Sequence, residues 1–125
     1  MILDTNGLSA FIDGEPSLEA RLPKPGNIAV PVIVLGEYRF GVRQSRQRIR
    51  YEAWLTEYLH NYRVLPVEED TADHYAAIRG ELKAAGTPIP TNDVWIAALC
   101  RQYSLPLLSR DRHFDLVRGL RRIAW

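Results

Sequence analysis

A chain of 125 residues is long enough for one hydrophobic core and too short for two, so we expect a single domain spanning residues 1–125. Its 16 basic and 15 acidic side chains nearly cancel, which excludes the strongly basic and strongly acidic classes. No apolar run approaches the roughly 20 residues that cross a bilayer, so we expect no membrane partner. The single cysteine, Cys100, excludes an internal disulfide, and the N-terminus has no secretory signal; we therefore expect a cytoplasmic protein.

Short apolar runs and amphipathic segments alternate along the chain and predict alternating strands and helices. In chain order, we predict a strand at 1–3, a helix at 7–12, a strand at 28–30, helices at 32–43 and 46–62, a strand at 64–67, helices from 70 or 71 to about 85 and from 91 or 92 to 103, and strands at 105–108 and 120–124. The stretch 13–25, with Gly14 and three prolines, is predicted to be irregular. Strands that alternate with helices form parallel crossovers, so the fold class is α/β, with a parallel sheet covered on both sides.

Several residues mark the boundaries and faces of these helices. Pro31 suits the first position of a helix. Asp70 or Thr71 is expected to cap the helix that Gly86 ends. The helix at 46–62 carries a mainly aromatic face that we expect in the core or in a dimer interface: Tyr51, Trp54, Leu55, Tyr58, Leu59 and Tyr62.

Two aspartates follow predicted strands. Asp4 comes directly after the first strand, and Asp111 follows the strand at 105–108 by three residues. In open parallel sheets, ligands bind beyond the carboxyl ends of the strands, so both acids lie on the side where sites form. Each acid by itself is also explained as a loop residue that accepts backbone hydrogen bonds.

A third acid, Glu37, lies on the predicted helix 32–43. It shares a helical face with Ile33, Phe40 and Gly41. A carboxylate within an apolar stripe costs on the order of several kcal/mol in desolvation unless something compensates. Either a buried arginine or a bound cation compensates that cost.

A fourth acid, Asp93, opens the helix that follows Pro90. Capping is the ordinary role for an aspartate at this place, but Thr91 and Asn92 are better positioned to cap. Asp93 also shares an inward helical face with three small or apolar residues: Ile96, Ala97 and Cys100. This pattern leaves its carboxylate free for another role.

Together, the four acids predict one negatively charged pocket with oxygen ligands. Unpaired carboxylates at close range repel one another and raise their own pKa values, and a hard divalent cation relieves that repulsion. Mg²⁺ or Mn²⁺ suits oxygen ligands better than zinc does. Zinc is not expected, because the three histidines show no ligand spacing: His60, His74 and His113.

The basic residues are mostly arginines, which number fourteen of the 16. Arginine forms bidentate contacts with phosphate, so these residues permit a nucleic-acid partner, although solvated helix and loop faces account for them as well. We expect phosphate contacts from the arginines nearest the acids: Arg39, Arg43, Arg46, Arg110 and Arg112.

Four motifs follow one another in the chain: Leu3-Asp4-Thr5-Asn6, Gly36-Glu37, Thr91-Asn92-Asp93 followed by Trp95-Ile96-Ala97-Ala98, and Ser109-Arg110-Asp111-Arg112-His113-Phe114. This ordered set resembles the PIN-domain nucleases and, more narrowly, the VapC-type toxins of toxin–antitoxin pairs. The resemblance covers essentially the whole chain. It implies a three-layer α/β/α sandwich around a short parallel sheet, with the metal held by four acids: Asp4, Glu37, Asp93 and Asp111.

The same resemblance implies an endoribonuclease that hydrolyses RNA phosphodiester bonds with Mg²⁺ or Mn²⁺. It also implies a cognate antitoxin that covers the site, and a homodimer. Thr5 or Asn6 would support the first acid, and Asn92 would orient a carboxylate through a hydrogen bond. Asp115 is expected as an auxiliary or alternative fourth acid.

Three other functions are alternatives to this interpretation. A non-catalytic PIN-like module would bind RNA or protein without cutting, but it has no reason to keep a repulsive acid cluster. A phosphoacceptor receiver domain needs a lysine beside its acids, and Lys24 and Lys83 fall in predicted loop and helix-end positions. Flap-type DNA nucleases are generally much larger than this chain.

Overall fold

The computed structural model describes all 125 residues and contains a five-stranded sheet in which every neighbouring pair is parallel. The strand order is β3-β2-β1-β4-β5, with bounds Ile2–Leu3 for β1, Ala29–Pro31 for β2, Arg63–Leu65 for β3, Leu107–Leu108 for β4 and Arg122–Ile123 for β5. β1 is central, and its Ile2 pairs with Ala29 of β2 and Leu107 of β4. The carboxyl ends of all five strands therefore lie at one edge of the sheet.

Six helices cover the sheet: α1 Thr5–Ile12, α2 Pro16–Glu19, α3 Val32–Arg43, α4 Arg48–Tyr58, α5 Glu69–Ala84 and α6 Thr91–Tyr103. The crossovers through α1, α3 and α4 run from β1 towards β3, whereas α5 and α6 connect β3 back to β4. Because parallel crossovers are right-handed, these opposite directions put the two groups of helices on opposite faces. The predicted three-layer α/β/α sandwich is confirmed.

The central strands are apolar on both sides because both faces of the sheet are covered. Ile2 and Leu3 of β1, like both residues of β4, are fully buried. In α6, six of the seven residues from Val94 to Cys100 are buried, so this helix packs deep against the sheet. No helix has the length and apolar character that crossing a membrane requires.

The region around α4 differs from its prediction. The α-helix ends at Tyr58, and the chain continues as a 3₁₀ turn over Leu59–Asn61. On the aromatic face only Leu55 is buried, while Trp54 stacks on Tyr62 with ring centroids 6.1 Å apart. This face therefore forms a partly exposed aromatic cluster at the surface. The short helix α2 also lies within the stretch 13–25 that was predicted to be irregular.

The structure corrects three predictions of helix caps. Pro31 ends β2 and precedes α3, rather than occupying its first turn. Glu68 caps α5, since its amide donates to Thr71 Oγ1 at 3.0 Å in a reciprocal capping box. Pro90 precedes α6, and neither of the next two side chains caps it. Both prolines combine the φ that their ring imposes, about −60°, with an extended ψ, which is the conformation of a residue directly before a helix.

Replacing Ser104 by glycine is expected to stabilise the protein by about 0.5–1 kcal/mol. Ser104 ends α6 in the left-handed conformation, with φ of 52°, where a side chain is strained and glycine is not. Glycine's greater freedom in the unfolded chain offsets part of the gain. Urea unfolding measures the difference, and a loss of stability would contradict the assignment of strain.

Candidate metal centre

Asp4 occupies the centre of the carboxyl edge, directly after β1, and is only 6% exposed. Its Oδ1 accepts a 2.7 Å hydrogen bond from the Gly7 amide and so caps α1. A Cβ at Gly7 would lie 3.0 Å from Asp4 Oδ1 and 3.1 Å from the Leu108 carbonyl oxygen. Glycine at position 7 therefore allows α1 to begin this close to β1 and β4.

Ser109 links two of the acids, although the sequence gave it no role beyond the first position of the fourth motif. It follows β4, is fully buried, and donates from Oγ to Asp4 Oδ2. The same Oγ accepts from the Asp111 amide at 2.9 Å, and the Ser109 carbonyl accepts from Arg122 at 3.0 Å. The sequence signal was its place at the start of that motif, as a polar residue between a buried strand and an aspartate.

Glu37 faces the same edge from α3, where it is half-buried. Thr5 Oγ1 donates a 3.0 Å hydrogen bond to Glu37 Oε1. The predicted apolar stripe around Glu37 is wrong, because Phe40 is 65% exposed and the buried face of α3 carries Val34, Tyr38 and Val42. Glu37 lies at the border of that face and forms no ion pair with an arginine.

Asp93 and Asp111 approach one another beside an imidazole. Asp93 lies in the first turn of α6, and Asp111 precedes a 3₁₀ turn over Arg112–Leu116. His113 Nδ1 lies 3.5 Å from Asp93 Oδ2 and 3.2 Å from Asp111 Oδ1. One ligand atom from each of these three residues lies within 4.8 Å of the others. His113 had no predicted role, because the three histidines show no ligand spacing among themselves; its partners in the structure are two aspartates.

Burial and mutual repulsion raise the pKa of two of the acids. Desolvation is the main cause for Asp4, reinforced by the negative charges of Asp111 and Glu37 and opposed by its hydrogen bonds. Desolvation is also the main cause for Asp93, reinforced by the same two charges and opposed by the nearby imidazole. The four predicted acids therefore act on one another in one electrostatic field. A divalent cation suits this donor set because it offsets that repulsion.

The metal-free protein is expected to lose stability from Asp4 as the pH rises. A carboxyl group whose pKa is raised by folding binds its proton more tightly in the folded protein than in the unfolded chain. The resulting loss of folding stability is therefore absent below the ordinary pKa of 3.8 and grows as the pH rises through the raised pKa of the folded protein. Thermal unfolding in EDTA should therefore show Asp4→Asn gaining stability over the wild type as pH rises from 3.5 to 7. A difference that stays constant across this range would contradict the raised pKa.

Three polar residues predicted to support the acids have different surroundings. Asn6 is exposed and lines a cleft of about 280 Å³ with Thr5 and Glu37. Asn92 is exposed in the first turn of α6 and makes no side-chain hydrogen bond. Asp115 is paired with Arg122 through both carboxylate oxygens, at 2.7 and 2.9 Å. The ion pair with Arg122 lowers the pKa of Asp115 and keeps its carboxylate out of the acid cluster.

The five predicted phosphate-binding arginines also differ. Arg110 is held by Glu15 and by Trp125, whose ring centroid lies 3.7 Å from the guanidinium carbon. Arg39 lies on the far side of α3 from Glu37, since two residues turn a helix by about 200°. Arg112 is exposed next to Asp111 and forms no ion pair. The other two are exposed and free of ion pairs as well: Arg43 and Arg46.

A parallel α/β/α sandwich with four carboxylates at one sheet edge defines a class of metal-binding domain, and comparison with known proteins identifies it. The sequence profile of the PIN domain family matches residues 1–120. Ribonuclease VapC5 of Mycobacterium tuberculosis is 32% identical over 120 residues, covering 94% of this chain and 87% of that protein. Ribonuclease VapC2 of Haemophilus influenzae is 31% identical over 127 residues, covering 99% and 96%.

Comparison of the fold with solved structures leads to the same family. The crystal structure of VapBC2 from Rickettsia felis, bound to a promoter DNA fragment, superposes with a TM-score of 0.87 at 26% identity. That match covers 99% of this chain and 97% of the other. The chain belongs to the PIN domain family, and within it to the VapC ribonucleases.

Proposed function

We propose that this chain is a metal-dependent endoribonuclease and the toxin of a toxin–antitoxin pair, formed by one PIN domain over residues 1–125. The observation that carries the proposal is the cluster of acids at the carboxyl edge of the sheet, where the negative charges of Glu37 and Asp111 help to raise the pKa of both Asp4 and Asp93. The match to VapC ribonucleases along nearly the whole chain supports it. The free, buried Cys100 suits a reducing compartment, and we place the activity in the cytoplasm.

The four acids would hold Mg²⁺ or Mn²⁺. A cation bound there supplies an activated water and a positive charge beside the scissile phosphate. The protein's own part is to fix the ligands: Gly7 and Ser109 hold both oxygens of Asp4, and Thr5 holds Glu37. Because water attacks, we expect products with 5′-phosphate and 3′-hydroxyl ends.

Cleavage of labelled single-stranded and hairpin RNA tests the proposal. Purified protein is incubated with Mg²⁺, with Mn²⁺ or with EDTA, after removal of any co-purified antitoxin under denaturing conditions and refolding. We expect cleavage with metal and none with EDTA. RNA binding without cleavage under either metal would instead favour the non-catalytic binding module.

Replacing Arg112 by glutamine is expected to weaken RNA binding without changing metal affinity. The side chain is exposed beside Asp111, and losing one phosphate contact should reduce the slope of log affinity against log salt by about 0.7–1. Fluorescence anisotropy with labelled RNA over a range of salt concentrations measures this slope. Arg121→Gln is the matched control, because residue 121 precedes β5 and lies at the opposite edge of the sheet. Equal salt-dependence slopes in both variants would show that Arg112 does not contribute a phosphate contact to RNA binding.

We also propose that a small antitoxin covers the acid cluster and that the chain forms a homodimer. One solved relative, VapBC-5 of Mycobacterium tuberculosis, is a member of the VapBC family of toxin–antitoxin systems. Two apolar side chains are largely exposed, Ile49 at 86% and Phe40 at 65%. Binding of a partner protein that covers them would be favoured by the burial of their apolar surface. Multi-angle light scattering of the isolated chain distinguishes a dimer from a monomer.

A further inference from the structure

The imidazole of His113 lies in the acid cluster, although nothing in the proposed function uses it. We propose that His113 is a ligand of the catalytic cation through Nδ1, and that this nitrogen makes the site prefer Mn²⁺ to Mg²⁺. The inference rests on the proposed function, because it adds a residue to the same metal centre.

The distances around His113 fit a shared cation. Nδ1 lies 3.2 Å from Asp111 Oδ1 and 3.5 Å from Asp93 Oδ2. Two neighbouring ligands of an octahedral ion, each about 2.1 Å from it, lie about 3.0 Å apart. A cation between the three atoms therefore requires only small side-chain movements.

The backbone holds the imidazole in this place. The His113 amide donates to Asp111 Oδ1 at 2.9 Å, which fixes the start of the 3₁₀ turn. The next residue, Phe114, is 1% exposed and anchors the same turn in the core. His113 itself is about half exposed in its side chain, so its contacts with the acids are not forced by packing.

The mixed donor set distinguishes between the two ions. Mg²⁺ prefers oxygen ligands and near-ideal octahedral geometry, whereas Mn²⁺ lies above it in affinity for imidazole nitrogen. A site of four carboxylates alone suits both ions. One added nitrogen ligand therefore shifts the preference towards Mn²⁺.

A protonated His113 would act differently. An imidazolium would neutralise Asp93 and Asp111 by occupying the position of the cation, and it would compete with metal binding. The two roles predict opposite effects of removing the side chain. If His113 is a ligand, removing its side chain weakens metal binding; if it is a competitor, removing its side chain strengthens metal binding.

Metal titration and pulsed electron paramagnetic resonance test the proposal on the full chain. Isothermal titration calorimetry with Mn²⁺ and with Mg²⁺ compares the wild type, His113→Ala and His113→Gln. His60→Ala is the control, because His60 is exposed in another turn of the chain. We expect both His113 variants to lose about tenfold or more in Mn²⁺ affinity, a smaller factor in Mg²⁺ affinity, and nothing in the control. The Mn²⁺-loaded wild type should show nitrogen coupling from a bound imidazole, which His113→Ala should lack.

Three results would overturn the proposal: unchanged Mn²⁺ affinity in both His113 variants, increased affinity for both ions, or no nitrogen coupling in the wild type. Circular dichroism confirms that each variant is folded. RNA cleavage is measured separately, so that the two proposals fail independently. Metal-dependent cleavage without nitrogen coupling overturns only the His113 assignment. Nitrogen coupling in a protein that cuts no RNA overturns only the nuclease assignment.

Discussion

Asp4→Asn should reduce metal-dependent RNA cleavage by on the order of 10²–10³-fold, because a ligand that holds the cation contributes several kcal/mol to stabilising the transition state. Asparagine keeps the size of the side chain and still caps α1 by accepting from the Gly7 amide. It removes the negative charge at the centre of the acid cluster. The variant should therefore stay folded and lose activity, as measured by single-turnover cleavage of labelled RNA beside a thermal melt.

Asp73→Asn is the matched control for this experiment. Asp73 is exposed on α5 and makes no side-chain hydrogen bond, so its charge can be removed without disturbing the acid cluster. We expect wild-type cleavage from this variant. Retained cleavage in Asp4→Asn, or equal losses in both variants, would contradict the assignment of Asp4 as a metal ligand.

Ser109→Ala should lower metal affinity by about 10–100-fold, the range typical of residues that orient a ligand through hydrogen bonds. The hydroxyl donates to Asp4 and accepts from the Asp111 amide at 2.9 Å, so its loss frees two acids at once. Because the acids themselves remain, high metal concentration should restore much of the cleavage rate. Calorimetric titration with Mn²⁺ and a metal-concentration series of the cleavage rate measure both effects.

The control for Ser109 is Ser17→Ala. The Ser17 hydroxyl donates to Glu15 at an exposed site on α2, and its removal should change neither metal affinity nor cleavage. If Ser109→Ala binds Mn²⁺ as the wild type does, Ser109 supports only the packing around β4. If Ser109→Ala loses cleavage at every metal concentration, the Ser109 hydroxyl has a further role besides orienting the metal ligands.

The sequence predicted the α/β class because its local signals agree with the tertiary structure. The runs at β1 and β4 are apolar without alternation, which is typical of strands covered on both faces. The boundaries of α3 were correct, and those of α6 were correct where its start was taken at Thr91. Boundaries failed where several signals compete, as at the end of α4 and at the cap of α5, where Glu68 takes the place predicted for Asp70 or Thr71.

The sequence also singled out Asp4, Glu37, Asp93 and Asp111, although its reason for Glu37 was wrong. Carboxylates at strand ends and helix starts can be recognised from chain order alone, because parallel strands bring their carboxyl ends to one edge. The apolar stripe inferred around Glu37 depended on which face of α3 is buried, and periodicity gives two overlapping faces. Only packing against the rest of the fold selects between them, and it selects Val34, Tyr38 and Val42.

Two residues of the centre were decided by tertiary structure alone. Ser109 touches Asp4 across 105 positions of sequence, and His113 meets Asp93 from a different element. Neither contact can be recognised from the spacing of residues in the chain. The pairing of β1 with β4 brings Ser109 to Asp4, and the packing of the 3₁₀ turn against α6 brings His113 to Asp93. The sequence by itself determined the fold class and the acids; the folded sheet determined which neighbours hold those acids in place, because hydrogen bonds and ligand distances depend on position in space.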